Sequence, residues 1–195
     1  MFVLGDIEEK SLNTLKEIDE NQLALVNTLN DLSQQEKSIR DGLDVFELDL
    51  RNMKRTIEKY HLPGLPKEYL ELFFATSSRI EQLSQLMNRV KLDMTEITGL
   101  NQTIEDDVEK LDIMTEEIVD NAQLTEYMIQ QANRYRLEHP EIDTAIQQSL
   151  EQFNHFYRYE ESLAIIEKAL NQVDPGSAQR VRDSYQSEKN NSLFF

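Results

Sequence analysis

Along the stretch from Glu68 to Glu138, apolar residues and one threonine return at alternating steps of four and three: Tyr69, Phe73, Thr76, Ile80, Leu83, Met87, Val90, Met94 and Ile97. After Asn101 the beat resumes at Ile104, Val108, Leu111 and Ile118. This spacing keeps one narrow stripe on one face of a helix, as in a coiled-coil seam, and is foreign to a strand. No proline interrupts the run. The pattern predicts one continuous helix of about 70 residues, roughly 105 Å long. A stripe of that length needs cover.

The preceding sequence supplies a second stripe. Leu12, Leu15, Ile18, Leu25, Leu29, Leu32, Ile39, Leu43, Phe46, Leu50, Met53 and Ile57 share a face of a helix expected from about Asp6 to Tyr60. Asp6 is the expected N-cap, with Glu8 and Glu9 at the favourable end of the helix dipole. Met1 to Gly5 is apolar without a period and reads as an abrupt start inside a coiled coil. Gly42 marks either a bend or close crossing, or a strain of about 1 kcal/mol that the helix tolerates.

Between the stripes, His61-Leu62-Pro63-Gly64-Leu65-Pro66 is a clear break. Pro63 pushes Leu62 from helical angles, Gly64 accepts positive φ, and Pro66 suits a first turn. A short connection makes two long helices antiparallel neighbours. Equal rise then sets Leu29 near Ile97 and Leu12 near Thr115, with the Pro63-Gly64 tip far from both chain ends. Beyond about residue 120 the second helix overhangs and needs other company.

The C-terminal residues change period. Pro140 ends the long helix at Glu138-His139 and opens a short one carrying Ile142, Ala145, Ile146, Leu150, Phe153 and Phe156. Another runs from Tyr159 to Val173 and is stopped by Asp174-Pro175-Gly176, and a last one with Val181 and Tyr185 fades into Ser187–Phe195. The expected class is all-α. A long antiparallel coiled-coil hairpin occupies residues 1–139, a short-helix cap 140–187 and a flexible tail 188–195. Phe153 and Leu163 should be buried on the overhang, with no contact between cap and tip.

Composition narrows the function. The chain has 195 residues, a net charge of -17, five Gly, four Pro and neither Cys nor Trp. Such acidity repels phosphates and argues against a nucleic-acid partner. Without cysteine there is neither a disulfide framework nor thiolate chemistry, which fits a reducing compartment. No apolar run approaches the ~20 residues that span a bilayer. Glu58 and His61 have the Glu-x-x-His spacing of di-iron bundles, but no second pair exists. His139 and His155 read as structural or exposed rather than metal ligands. There is no phosphate-binding glycine loop and no nucleophile elbow, so neither an enzyme nor a cofactor is expected. Met87, Met94, Met114 and Met128 read as core filler.

One cluster stands out. Glu105, Asp106, Asp107, Glu109, Asp112, Glu116, Glu117 and Asp120 read as a solvated face, and Arg134 and Arg136 interrupt that acidic field beside Gln130 and Asn133. Gln130, Asn133 and Arg134 fall at i, i+3 and i+4 and share a face, where amides and guanidinium forks could hold a peptide bearing carboxylates. The alternative is a helix end whose arginines complement the dipole and cap its carbonyls.

Two resemblances follow. Tyr159 to Pro175 resembles the second half of a tetratricopeptide repeat, but occurs once and is one residue too long for an array. A wider match joins Gln130-Gln-Ala-Asn-Arg-Tyr-Arg136, Phe153 with Tyr159-Glu-Glu-Ser-Leu163, and Val173-Asp-Pro-Gly-Ser177. In that order these resemble the C-terminal region of bacterial septation ring formation regulators of the EzrA type. Gln131 replaces that family's usual Tyr, Ser162 an Ala, and Asp174 a Glu. The resemblance implies a cytoplasmic fragment of a non-enzymatic cell-division regulator, its hairpin a spectrin-like repeat. It implies binding to FtsZ and other division-ring proteins, and localisation at the cytoplasmic face of the membrane at the septum through an N-terminal anchor this chain lacks. The site residues it implies are Gln130, Asn133, Arg134, Tyr135 and Arg136. The competing reading is a generic coiled-coil scaffold or self-associating segment without a discrete ligand site.

Overall fold

The computed structural model describes the backbone of residues 3–192 and the side chains of residues 9–190. Among the described residues there are six α-helices and no strand. They are α1 (Val3–Lys59), α2 (Lys67–Met87), α3 (Met94–Ala132), α4 (Pro140–Glu151), α5 (Tyr159–Val173) and α6 (Ser177–Ser192). A 3-10 turn, Asn133–Tyr135, follows α3, and a π turn, Gln152–Phe156, follows α4. Helix α1 is already under way at Asp6, so Asp6 does not cap it. The side chains of Asp6 and Glu8, and the sequence from residue 193 on, lie outside the described residues. Helix α6 continues through residue 188, where the sequence suggests a tail.

The all-α class and the antiparallel return of α2 along α1 are as read. The path beyond α2 differs. The expected 70-residue helix is interrupted between Asn88 and Asp93, and Val90, counted in the seam, stands fully exposed in the turn. The missed signal is an N-cap: Asp93 accepts from the backbone N–H groups of Thr95 and Glu96 at 3.1 and 3.2 Å, with Glu96 in the first turn. An N-cap can restart a helix without any proline in the run.

The turn converts a hairpin into a three-helix bundle. Tyr69 of α2 shares a 2.8 Å hydrogen bond with Thr115 of α3, and Arg79 pairs with Asp107, so α2 and α3 run antiparallel. Gln35 of α1 donates to Thr98 at 3.3 Å, and Arg40 donates to the Met87 carbonyl at 2.6 Å. Helix α1 therefore meets the α2–α3 turn near residue 40 and runs parallel to α3 from there. Neither expected pairing forms. Leu12 and Leu29 are exposed, whereas Thr115 is buried beside Tyr69. Gly42 has open space around it in an unbroken helix, so it is tolerated strain and not a crossing.

Two cores result. The first joins Phe46, Leu50 and Met53 of α1 to Ile80 and Leu83 of α2 and Ile104 and Leu111 of α3. The second packs Met128 and Ala132 at the end of α3 against Ile142, Leu163, Ile166 and Leu170. At the α4–α5 crossing, the buried Ser149 and Ser162 hydroxyls each donate to the other residue's carbonyl, at 2.8 and 2.6 Å. Ser162 thus finds its partner within the core.

The tip and the C-terminal helices touch, contrary to expectation. Phe153 and Tyr159 belong to the first core, their rings edge to face at 4.9 Å, and the Tyr159 hydroxyl donates to the Gly64 carbonyl at 2.6 Å. A Cβ on Gly64 would lie 2.4 Å from the Tyr157 ring. Gly64 is therefore required for close approach. The left-handed residue of the tip is His61, at φ 49°, and Tyr157 across the contact is left-handed too, at φ 56°.

Candidate recognition site at the end of α3

Helix α3 ends where Ala132 is locked in the second core and the chain tightens into the 3-10 turn. The His139 N–H donates to the Tyr135 carbonyl at 2.9 Å, and Pro140 then opens α4 at a new angle. This corner displays the five residues singled out from the sequence. They do not share one environment.

Gln130, Asn133 and Arg134 are exposed, and none of their side chains makes a hydrogen bond or ion pair among the described residues. Leu137, in the turn that follows, is 97% exposed and adds an apolar side chain to the surface of the corner. Tyr135 turns inward: half-buried against the second core, it donates its hydroxyl to Asp174 Oδ2 at 3.2 Å. Arg136 ties the corner to α4 as an ion pair, its Nε 2.5 Å from Asp143 Oδ1 but without the alignment of a hydrogen bond. Neither arginine caps a helix carbonyl among the described residues, while Arg134 lies in the last turn, where its charge complements the helix dipole.

The fold also brings the first and third motifs together. Asp174, between α5 and α6, receives Tyr135 and also Arg180 Nη2 at 2.6 Å. The Arg180 bond is the main reason its carboxyl is held below the usual aspartate range, with Tyr135 adding to it. Ser177 donates to the Leu170 carbonyl at 3.0 Å, fixing the start of α6. Between these motifs lies a groove of about 210 Å³, whose walls include Gln131, Arg134 and Tyr135 on one side and Asp174, Arg180 and Ser184 on the other.

Tyr127 and Arg180 line the same groove and were missed in the sequence. Tyr127 was legible in principle, since it precedes Gln131 and Arg134 at i, i+4 and i+7. Its hydroxyl donates to Glu188 at 2.8 Å, the leading cause of its raised pKa. Arg180 had no local signal, because its partner lies across a turn. The acidic run of α3 is mostly solvated, as read, with Asp107 and Asp120 paired to Arg79 and Lys189. Among the described residues no group of three His, Asp or Glu side chains could hold a metal ion, and no helix is long and apolar enough to cross a membrane.

The chain matches the family described as "Septation ring formation regulator, EzrA" over residues 3–185. It is similar to curated proteins named septation ring formation regulator EzrA from three organisms. Identity is 41% over 91% of this chain in Enterococcus faecalis, 35% over 92% in Streptococcus sanguinis and 33% over 96% in Lactococcus lactis subsp. lactis. The chain spans only 31%, 31% and 35% of the length of those relatives. No solved structure matches it at a significant level.

Proposed function

The chain belongs to the EzrA family of septation ring formation regulators, and from that membership we propose that it is the part of a cell-division regulator that recognises a division-ring protein. FtsZ is the partner that the sequence resemblance implies. The recognition surface is the α3 corner, with Gln130, Asn133 and Arg134 as contact residues and Tyr135 and Arg136 as the residues that shape it. Held at the cytoplasmic face of the membrane by an anchor of the kind the resemblance implies, this surface would act at the division septum.

One observation carries the reading. Three adjacent polar side chains capable of multiple hydrogen bonds stand in solvent without a hydrogen bond or ion pair among the described residues, Arg134 acting only electrostatically on the Tyr127 phenol, on a backbone fixed from beneath by Tyr135 and Ala132. Such residues contribute little to stability, and so are available for contact.

The test is microscopy of the fluorescently tagged full-length protein carrying Asn133→Ala and Arg134→Ala, beside thermal melting of this chain. The expected result is loss of the sharp midcell band with helix content and melting nearly unchanged. A folded double variant that still forms a sharp band would overturn the reading. Sedimentation of FtsZ filaments with and without the chain addresses the partner directly.

A second reading, a coiled-coil scaffold or self-associating segment, is favoured by the exposed apolar stripe from Leu12 to Leu32 on α1. It predicts that Leu25→Glu with Leu29→Glu disturbs localisation while the α3 corner variants do not.

A further inference from the structure

The lining of the groove between α3 and α6 is opposite in sign to the chain as a whole. Arg134 and Arg180 line it, and Asp174 is its single carboxylate. The lining therefore carries one net positive charge on a chain whose net charge is -17. The three groups are not equivalent. Asp174 is already engaged by Arg180 and by the Tyr135 hydroxyl, at 2.6 and 3.2 Å. Arg134 makes no hydrogen bond or ion pair among the described residues. Tyr127 closes the rim, tied to Glu188 of α6.

Resting on the reading of this corner as the recognition surface, we propose that the groove takes a carboxylate side chain of an acidic peptide, which pairs with Arg134 while Arg180 flanks it. Guanidinium forks match the two oxygens of a carboxylate, and charge-assisted bonds of this kind are the strong ones. One net positive charge balances one carboxylate. A phosphate dianion would be under-compensated and would meet Asp174 in the opposite wall. Asp174 itself occupies Arg180 as an internal carboxylate, so the groove shows the pairing it would offer to a ligand.

The experiment is fluorescence anisotropy of the whole chain with three labelled synthetic peptides: alternating aspartate and leucine, the same with asparagine for aspartate, and the same with phosphoserine. The aspartate peptide is expected to bind at least about tenfold more tightly than the asparagine peptide, and Arg134→Gln to remove that advantage. Arg134→Lys should restore only part of it, because the ammonium lacks the fork. Asp174→Asn frees Arg180 and should tighten binding severalfold, the opposite of what a purely structural Asp174 would give. Undetectable binding of the aspartate peptide, equal binding of the aspartate and asparagine peptides, indifference to Arg134→Gln, or tightest binding of the phosphoserine peptide would each overturn the proposal. Loss of the midcell band in the tagged double variant together with unchanged peptide binding would overturn it too, leaving the recognition reading in place.

Discussion

The two halves of α1 carry the same stripe and meet different fates. Leu15, Ile18, Leu25, Leu29 and Leu32 continue, without a change of beat, into Ile39, Leu43, Phe46, Leu50 and Met53. Leu29 is 57% exposed and Leu50 is 7% exposed. What separates them is the place where α2 turns back. The Arg40–Met87 and Gln35–Thr98 hydrogen bonds mark that level, and beyond it no described element reaches α1. Heptad spacing specifies that a face can be covered. It says nothing of whether the cover is present. The same apolar residue contributes packing in one half and stands in water in the other.

The largest effect on this contrast is expected where the covered half is closed from outside the bundle. Phe153 packs edge to face on Tyr159 within the core that holds Met53 and Tyr69. Phe153→Ala should destabilise the chain by about 3–5 kcal/mol. Amide hydrogen exchange should accelerate at the 60–66 tip as well as at residues 150–170, because the two share a core. Acceleration confined to residues 150–170 would mean that the contact carries no cooperativity.

A direct comparison of the halves comes next. Leu50→Ala should cost about 2–5 kcal/mol in denaturant unfolding, and Leu29→Ala less than about 0.5 kcal/mol. Equal losses would break the contrast and show that the upstream stripe is covered in solution.

The tip is the third point of attack. Gly64→Ala sets a methyl carbon 2.4 Å from the Tyr157 ring, an overpacking expected to cost about 1–3 kcal/mol. Gly42→Ala, with open space at its Cβ inside a helix, should instead stabilise by up to about 1 kcal/mol. Thermal melting of the two variants side by side reads both signs.

The last test is a titration. Burial is the main cause pushing the Tyr159 phenol up to about 12, against about 10 in an unfolded chain. Between those values the unfolded chain has released the proton and the folded chain still holds it. Tyr159 therefore leaves stability unchanged below pH 10 and lowers it as pH rises toward 12, by at most about 1.4 kcal/mol per unit. Tyr159→Phe should make that limb shallower, the raised phenols of Tyr69, Tyr127 and Tyr185 keeping part of it, while losing about 1 kcal/mol at neutral pH for the missing bond to Gly64.

Periodicity, prolines and turn residues determined that the chain is helical, and placed the ends of α1 and α5 and the start of α4 within a few residues. They are local properties: the 4-3 beat depends on neighbours one turn away, and Pro140 acts on its own turn. The segments Gln130–Arg136 and Val173–Ser177 were singled out by resemblance, which also reads residues close together in the chain. The α2–α3 turn was legible too, in Asp93 and Glu96, but an uninterrupted stripe outweighed a single cap. Other facts had no local trace. Which half of α1 is covered depends on how far α2 travels before turning. That Gly64 is needed for a ring almost a hundred positions away depends on where the α4–α5 turn lands. The division of the α3 corner into exposed Arg134, inward Tyr135 and braced Arg136 depends on Asp174 and Asp143 arriving from other helices. Contact energies between distant segments exist only once the chain has closed on itself, so only the tertiary structure decided them.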